Sequence, residues 1–253
     1  MDGLAERIKR ANRVVYNRLT PEEYDRNESI FNERRGRAIA KTLTDAARLT
    51  GGSRLLDVGT GTGNIPRVAG ACFKTIYAID IGDQLLRQVR ERLPSCHFAA
   101  SDAENLPFAD GAFDCVTCYA LLHHLLEHRR LFEECHRVLK SGGILYTDHD
   151  PNYFFNRFYH LYYSLRYAGR HGFGSEVDDL AEYHNVFSPG INPETLRRFL
   201  QEIGFSNVTV RYRVTDNESW TGLKAVCASA MRTAVKLLPL KSLHTHFSIF
   251  AVK

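Results

Sequence analysis

An aspartate followed two residues later by a glycine-rich turn, Asp57-Val58-Gly59-Thr60-Gly61-Thr62-Gly63, ends the apolar run Leu55-Leu56 and opens onto Asn64 and a helical pattern. Glycines at such a turn let the backbone approach a ligand closely and adopt φ values that other residues resist. The carboxylate of Asp57 gives the turn its chemistry, because it accepts hydrogen bonds from a ligand ammonium while a pyrophosphate gains nothing from a negative charge. The third glycine also falls two residues after the second, where a dinucleotide fingerprint needs three. Two more carboxylates close later apolar runs. Asp80 ends T-I-Y-A-I-D, where its two oxygens suit the vicinal hydroxyls of a ribose, and Ile81 beside it can lie flat on a purine. Asp102, in S-D-A-E-N-L-P-F, suits an exocyclic amine. One acid for an ammonium, one for a ribose and one for an adenine describe a single molecule.

Histidines and aromatics form the second group of candidates. His149 stands between Asp148 and Asp150, and a neutral imidazole there can remove a proton from a hydroxyl or amine nucleophile. His123, His124 and His128 lie close together in sequence, yet neighbours such as His123 and His124 cannot both face one ligand from a regular helix, so no metal is expected. The segment Pro151 to Gly190 carries Tyr153, Phe154, Phe158, Tyr159, Tyr162, Tyr163 and Tyr167 on all sides of a helical wheel, which requires two buried faces. It is expected to be a lid with one face on the protein and the other on an apolar or aromatic substrate, with Tyr153, Tyr162, His123 and His184 as substrate contacts.

These side chains need a frame, and the order of patterns supplies it. Arg54 to Val58, Thr75 to Asp80, Cys96 to Ala100, Phe113 to Tyr119 and Gly143 to Asp148 read as strands, alternating with helical stretches at Asn64 to Ala71, Asp83 to Leu93 and Leu125 to Leu139. Such alternation implies an α/β fold with a mostly parallel sheet covered on both faces. Residues 1–50 read as an N-terminal helical segment with a capping box at Thr20-Pro21-Glu22-Glu23, and 51–253 as the core domain. The core carries two insertions, the lid at 151–190 and a helical piece at 215–245 before the last strand.

Composition narrows the function classes. The chain has 253 residues and a formal net charge of +4, well short of a nucleic-acid binder's excess. With no apolar stretch of transmembrane length and acids in the first residues, a cytoplasmic protein is expected, with no stable membrane insertion and at most a peripheral contact. Six scattered cysteines suggest free thiols. Cys115 and Cys118 sit three apart on one strand and point to opposite faces.

Taken in order, Asp57-Val58-Gly59-Thr60-Gly61-Thr62-Gly63, Ala78-Ile79-Asp80, Asp102 to Phe108, Phe113-Asp114 with Leu122-His123-His124-Leu125, and Arg137-Val138-Leu139-Lys140-Ser141-Gly142-Gly143 resemble the class I S-adenosylmethionine-dependent methyltransferases, within the group typified by ubiquinone and menaquinone biosynthesis. The resemblance spans about Gly51 to Asp150. It implies a Rossmann-like, seven-stranded sheet with one antiparallel strand, completed by Asn207 to Val214 and His246 to Val252. It also implies S-adenosylmethionine as cofactor, and a histidine near position 123 that is structural. By the same resemblance Asp57, Gly59 and Gly61, with Thr60 and Asn64 of the same turn, hold the methionine part; Asp80 and Ile81 the ribose and adenine; Asp102 and Ala103 the base; and Tyr119 the sulfur side. Of Tyr16, Tyr24 and Arg35, which precede the core, Tyr24 is the expected contact to the cofactor carboxylate. His149 then borders the methyl-transfer position. The expected function is methyl transfer to an oxygen, nitrogen or carbon of a small hydrophobic or aromatic metabolite, by a monomer or homodimer. A non-catalytic cofactor-binding subunit is the alternative.

Overall fold

A computed structural model describes residues 3–23, 32–157, 175–188, 190–214, 226, 229–230, 233 and 240–253. Seven strands form one sheet in the order β3-β2-β1-β4-β5-β7-β6. They are β1 (Arg54–Val58), β2 (Thr75–Asp80), β3 (His97–Ala100), β4 (Phe113–Tyr119), β5 (Leu139–Pro151), β6 (Ser206–Arg213) and β7 (His246–Val252). The first five pair in parallel, and β7 runs antiparallel to both β5 and β6. The order reverses around β1 and β4, and a crevice opens beyond the carboxyl ends of strands at such a point.

Alternation along the strands sorts side chains between two cores. Leu56, Val116, Cys118 and Leu145 face α5 (Arg129–Val138) and α8 (Pro193–Ile203) through Leu131, Phe132, Leu196 and Leu200. Leu55, Cys115, Ile144 and Tyr146 face α2 (Glu33–Thr50) and α3 (Asn64–Ala69) through Ile39, Leu43, Ala46 and Ile65. The two thiols of the C-x-x-C therefore lie on opposite faces, both buried. Burial raises the Cys115 thiol above its ordinary value. α2 is thus a layer of the core, although its residues fall within the expected N-terminal segment 1–50. Between β2 and β3 runs α4 (Asp83–Arg92), and α1 (Leu4–Arg18) lies outside these layers.

Two element boundaries differ clearly from expectation. β5 extends from Leu139 to Pro151 because Leu139 pairs with Phe113 at one end and Pro151 with His246 at the other. The expected helix from Leu125 starts only at Arg129; Leu122–His124 form a 3₁₀ turn that ends on Leu125 in extended conformation. α4 begins at Asp83 as expected, and Asp80 Oδ1 accepts the N–H of Gly82, the residue before it. Of the lid segment, the described residues hold α6 (Glu176–Ala181) and α7 (Tyr183–Val186). Tyr24, Tyr162 and most of 215–239 lie outside the described residues. Among those described, no helix is long and apolar enough to cross a membrane.

Candidate active site

The turn after β1 is shaped by close packing. Gly59 takes φ 72°, and a Cβ there would meet Leu121 Cδ1 at 2.6 Å, so only glycine fits. The N–H groups of Gly59 and Thr60 both donate to the Ile79 carbonyl at 2.9 Å, which clamps the turn onto the end of β2. Asp80 completes the clamp: its Oδ2 accepts from Gly61 N–H and its Oδ1 from Gly82 N–H, each at 2.9 Å. Burial raises the Asp80 carboxyl against these stabilising N–H groups.

Asp57 is almost wholly buried, and its Oδ1 accepts the Thr117 hydroxyl at 2.7 Å. Burial, reinforced by the nearby Asp80 charge, pushes its carboxyl up to about 7. A buried acid held this far from its ordinary range is one that a cation beside it would stabilise.

Beyond the turn lies a cleft with about 630 Å³ of empty space, part of it open to solvent. Gly59, Gly61, Asp80, Ile81, Asp102 and Ala103 all line it. The sequence pattern therefore brings six of its expected cofactor residues to one wall. Asp57, Thr60, Asn64 and Tyr119 do not line the cleft. Thr60 and Asp57 are buried behind it, and Asn64 begins α3 with its amide on Thr62 Oγ1.

α1 crosses this cleft, and sequence reasoning missed most of what it brings. Lys9 Nζ reaches Asp102 Oδ2 at 2.7 Å and Glu104 Oε2 at 2.5 Å. Its partial burial works against the charge, but the two acids outweigh that and raise its pKa. Asn12 donates to the carbonyls of Ile8 and His124. Tyr16 OH lies 3.0 Å from His124 Nε2, while His124 Nδ1 lies 2.8 Å from the Ala181 carbonyl. A carbonyl only accepts, so Nδ1 carries the proton and the Tyr16 hydroxyl donates to Nε2. Burial, with His123 adjoining, pushes His124 down to about 4, so it is neutral at pH 7. Lys9, Asn12 and Tyr16, spaced three and four apart, share one helix face; that spacing of polar groups is the signal that was available.

On the other side of β4 the rings of Tyr119, His149 and His246 stack nearly parallel, with centroids 5.3 and 4.3 Å apart. His149 is the extra residue of a bulge between the pairs Asp148 with Ser248 and Asp150 with Phe247, at φ 71°. Bulges re-aim a side chain in this way. Burial, with His246 and Arg35 close by, holds His149 well below its ordinary pKa. Asp148 beneath it pairs with Arg35 at 2.5 Å. His123 Nδ1 lies 2.9 Å from Asp150 Oδ1. His184 sits edge-on to Tyr183 and 5.4 Å from His128, while Tyr153 donates its N–H to Ile191 and is edge-on to Phe154. Tyr153 and His184 do not line the cleft.

A parallel sheet ending in a glycine turn and acid-lined cleft, with one antiparallel strand, defines a class I methyltransferase fold and site. The methyltransferase-domain family matches residues 56–147. The chain is 30% identical to a demethylmenaquinone methyltransferase of Clavibacter sepedonicus, over 74% of this chain and 80% of that one. It is 29% identical to a ubiquinone/menaquinone biosynthesis C-methyltransferase of Pseudomonas putida, over 74% and 78%. In fold it is similar to an S-adenosylmethionine-dependent methyltransferase of Thermotoga maritima, with a TM-score of 0.61 over 96% of this chain and 99% of that one at 17% identity. The chain belongs to the class I S-adenosylmethionine-dependent methyltransferases, in the group of the ubiquinone and menaquinone biosynthesis enzymes, and S-adenosylmethionine is its cofactor.

Proposed function

We propose that this enzyme methylates a small aromatic acceptor of the hydroxylated, quinol-like class, at a carbon, oxygen or nitrogen at the rim of β4 and β5. The observation that carries the reading is the flat stack of Tyr119, His149 and His246 at those strand ends, beside a cleft whose acids suit the cofactor. The names of the two sequence relatives, both quinone-pathway methyltransferases, support the same acceptor class.

The residues present fit the cofactor: Gly59, Gly61, Asp80 and Asp102 line one cleft, and Asp57 is a buried acid that a nearby cation would stabilise. Bound there, S-adenosylmethionine supplies an electrophilic methyl group on a sulfonium. The Gly59 to Gly61 backbone would hold the amino-acid end with the Asp57 charge behind it, Asp80 and Ile81 the ribose, and Asp102 with Ala103 the base. Lys9, Asn12 and Tyr16 of α1 close the cleft and exclude water. The protein's contribution is then mainly alignment and desolvation.

His149 belongs to the wall of the acceptor side in this reading. Burial and the Arg35 charge both oppose the imidazolium that a general base must become. With an acceptor that turns over, His149→Ala is expected to lower kcat by less than about tenfold; a loss of about 10²-fold or more would make it the proton acceptor.

Asp57 gives a prediction that needs no acceptor. Its carboxyl is about half protonated near pH 7, and an ammonium placed beside it favours the charged form. Cofactor binding at pH 7 should therefore release about half a proton from this group, and affinity should rise with pH through neutrality and level off about a unit above it. Binding enthalpies in two buffers of different ionisation enthalpy read the release directly. Equal proton release by wild type and Asp57→Asn would remove Asp57 from the ammonium site.

The acceptor class is tested by mass spectrometry of products after incubation with isotope-labelled S-adenosylmethionine and naphthohydroquinones, phenols, amines and fatty acids in parallel. Labelled naphthohydroquinone or phenol products are expected; transfer to aliphatic amines or acids alone would overturn the reading.

A further inference from the structure

His123, His124 and Glu182 bring three ligand-type side chains together where the sequence gives no reason to expect it. The two histidines occupy a three-residue 3₁₀ turn, and their rings lie 4.0 Å apart. His123 Nε2 is 3.9 Å from Glu182 Oε2, and His124 Nδ1 is 4.0 Å from Glu182 Oε1. One donor atom from each of the three falls within 4.8 Å of the others. We propose that these three side chains form a binding site for a divalent transition cation of the zinc class, on the wall of the cofactor cleft.

Spacing, ligand type and outer contacts each support the site. A tetrahedral ion with bonds of about 2.1 Å separates its ligands by about 3.4 Å, so the three groups need to close by about 0.5 to 1.5 Å. Two imidazoles and a carboxylate are a ligand set that zinc uses with an open fourth position. Behind His123, the fully buried Asp150 takes Nδ1 at 2.9 Å and so aims Nε2 at Glu182; a carboxylate on the far nitrogen is the usual second contact of a metal-binding histidine. Asn185 Nδ2 fixes Glu182 at 2.7 Å in the same manner. For His124 to ligate through Nδ1, the ring must turn off the Ala181 carbonyl 2.8 Å away and its proton must pass to Nε2, where the Tyr16 oxygen 3.0 Å away can accept it. His124 also lines the cleft, which puts the site at the edge of the cofactor space. The site stands on these contacts alone and does not depend on which acceptor is methylated.

The full chain, stripped with a chelator, is titrated with Co²⁺ while its visible d–d absorption is recorded, and with Zn²⁺ in competition with a chromophoric chelator. The expected result is saturation at one equivalent, with a dissociation constant of about 10 μM or tighter. Glu182→Gln, which keeps the side-chain volume, and His123→Ala should each weaken binding by more than about tenfold, and Asp150→Asn by about 10- to 100-fold through the outer contact. Circular dichroism confirms the fold of each variant, and if His123→Ala fails to fold, Glu182→Gln decides. Absence of saturable binding by the wild type overturns the proposal, as does one-equivalent binding that Glu182→Gln leaves unchanged. Adding S-adenosylmethionine alone separates the outcomes, since a failed metal titration with intact cofactor binding leaves the methyltransferase reading untouched.

Discussion

Asp80→Ala is expected to weaken S-adenosylmethionine binding by about tenfold to a hundredfold, a loss of about 1 to 3 kcal/mol. The carboxylate has two tasks. In the proposed reading it offers its remaining lone pairs to the ribose hydroxyls, and it accepts the N–H of Gly61 from the turn after β1 and of Gly82 from the turn after β2. Removing it leaves two backbone donors in a mostly buried place without their acceptor and frees the turn proposed to carry the methionine end. The asparagine variant should be no milder, because its amide NH₂ would face one of those N–H groups donor to donor. Calorimetry on wild type and both variants measures the effect, with circular dichroism to confirm the fold. Affinity unchanged in Asp80→Ala would remove this residue from the cofactor site.

The same residue shows why so much of the site was legible. Strand ends, a glycine turn and an acid at a fixed position are local patterns, and a doubly wound sheet gathers consecutive strand ends at one edge. Asp57, Asp80 and Asp102 could be placed relative to one another without seeing any contact between them. Alternation along β4 likewise put Cys115 and Cys118 on opposite faces. What escaped depends on contacts distant in sequence. Lys9 finds Asp102 across 93 residues and Tyr16 finds His124 across 108, and no local pattern says which face of α1 will meet the cleft. The bulge at His149 arises from pairing with β7, about a hundred residues later, and it turns a histidine that sequence order offers as a proton acceptor into the middle of a ring stack. His123 and His124 were set aside on the geometry of a regular helix. Asp150 and the Ala181 carbonyl, both remote in sequence, orient their rings.

The largest stability effect is expected at Asp148, which the sequence offers only as a neighbour of His149. Its side chain is 1% exposed and pairs with Arg35 Nη2 at 2.5 Å, with Arg213 Nη1 3.7 Å away. The Tyr146 hydroxyl and the His149 N–H donate to it as well. Arg35 is itself largely buried; that burial opposes its charge, and the Asp148 carboxylate outweighs it and raises its pKa. A guanidinium cannot shed its proton, so Asp148→Asn leaves two arginines facing one another around a neutral amide. Breaking a buried pair in this manner costs about 3 to 5 kcal/mol. For a chain of this size that is a fall in Tm of about 6 to 20 °C. Arg35→Met should cost less, because Arg213 remains to neutralise Asp148 and the methionine fills much of the vacated volume. The order of the two losses is thus the sharper test, and denaturant unfolding of both variants with their double mutant reads it. Arg35→Met at least as damaging as Asp148→Asn, or a loss below about 1 kcal/mol at Asp148, would mean that solvent screens this pair and that α2 is held to β5 by its apolar face alone.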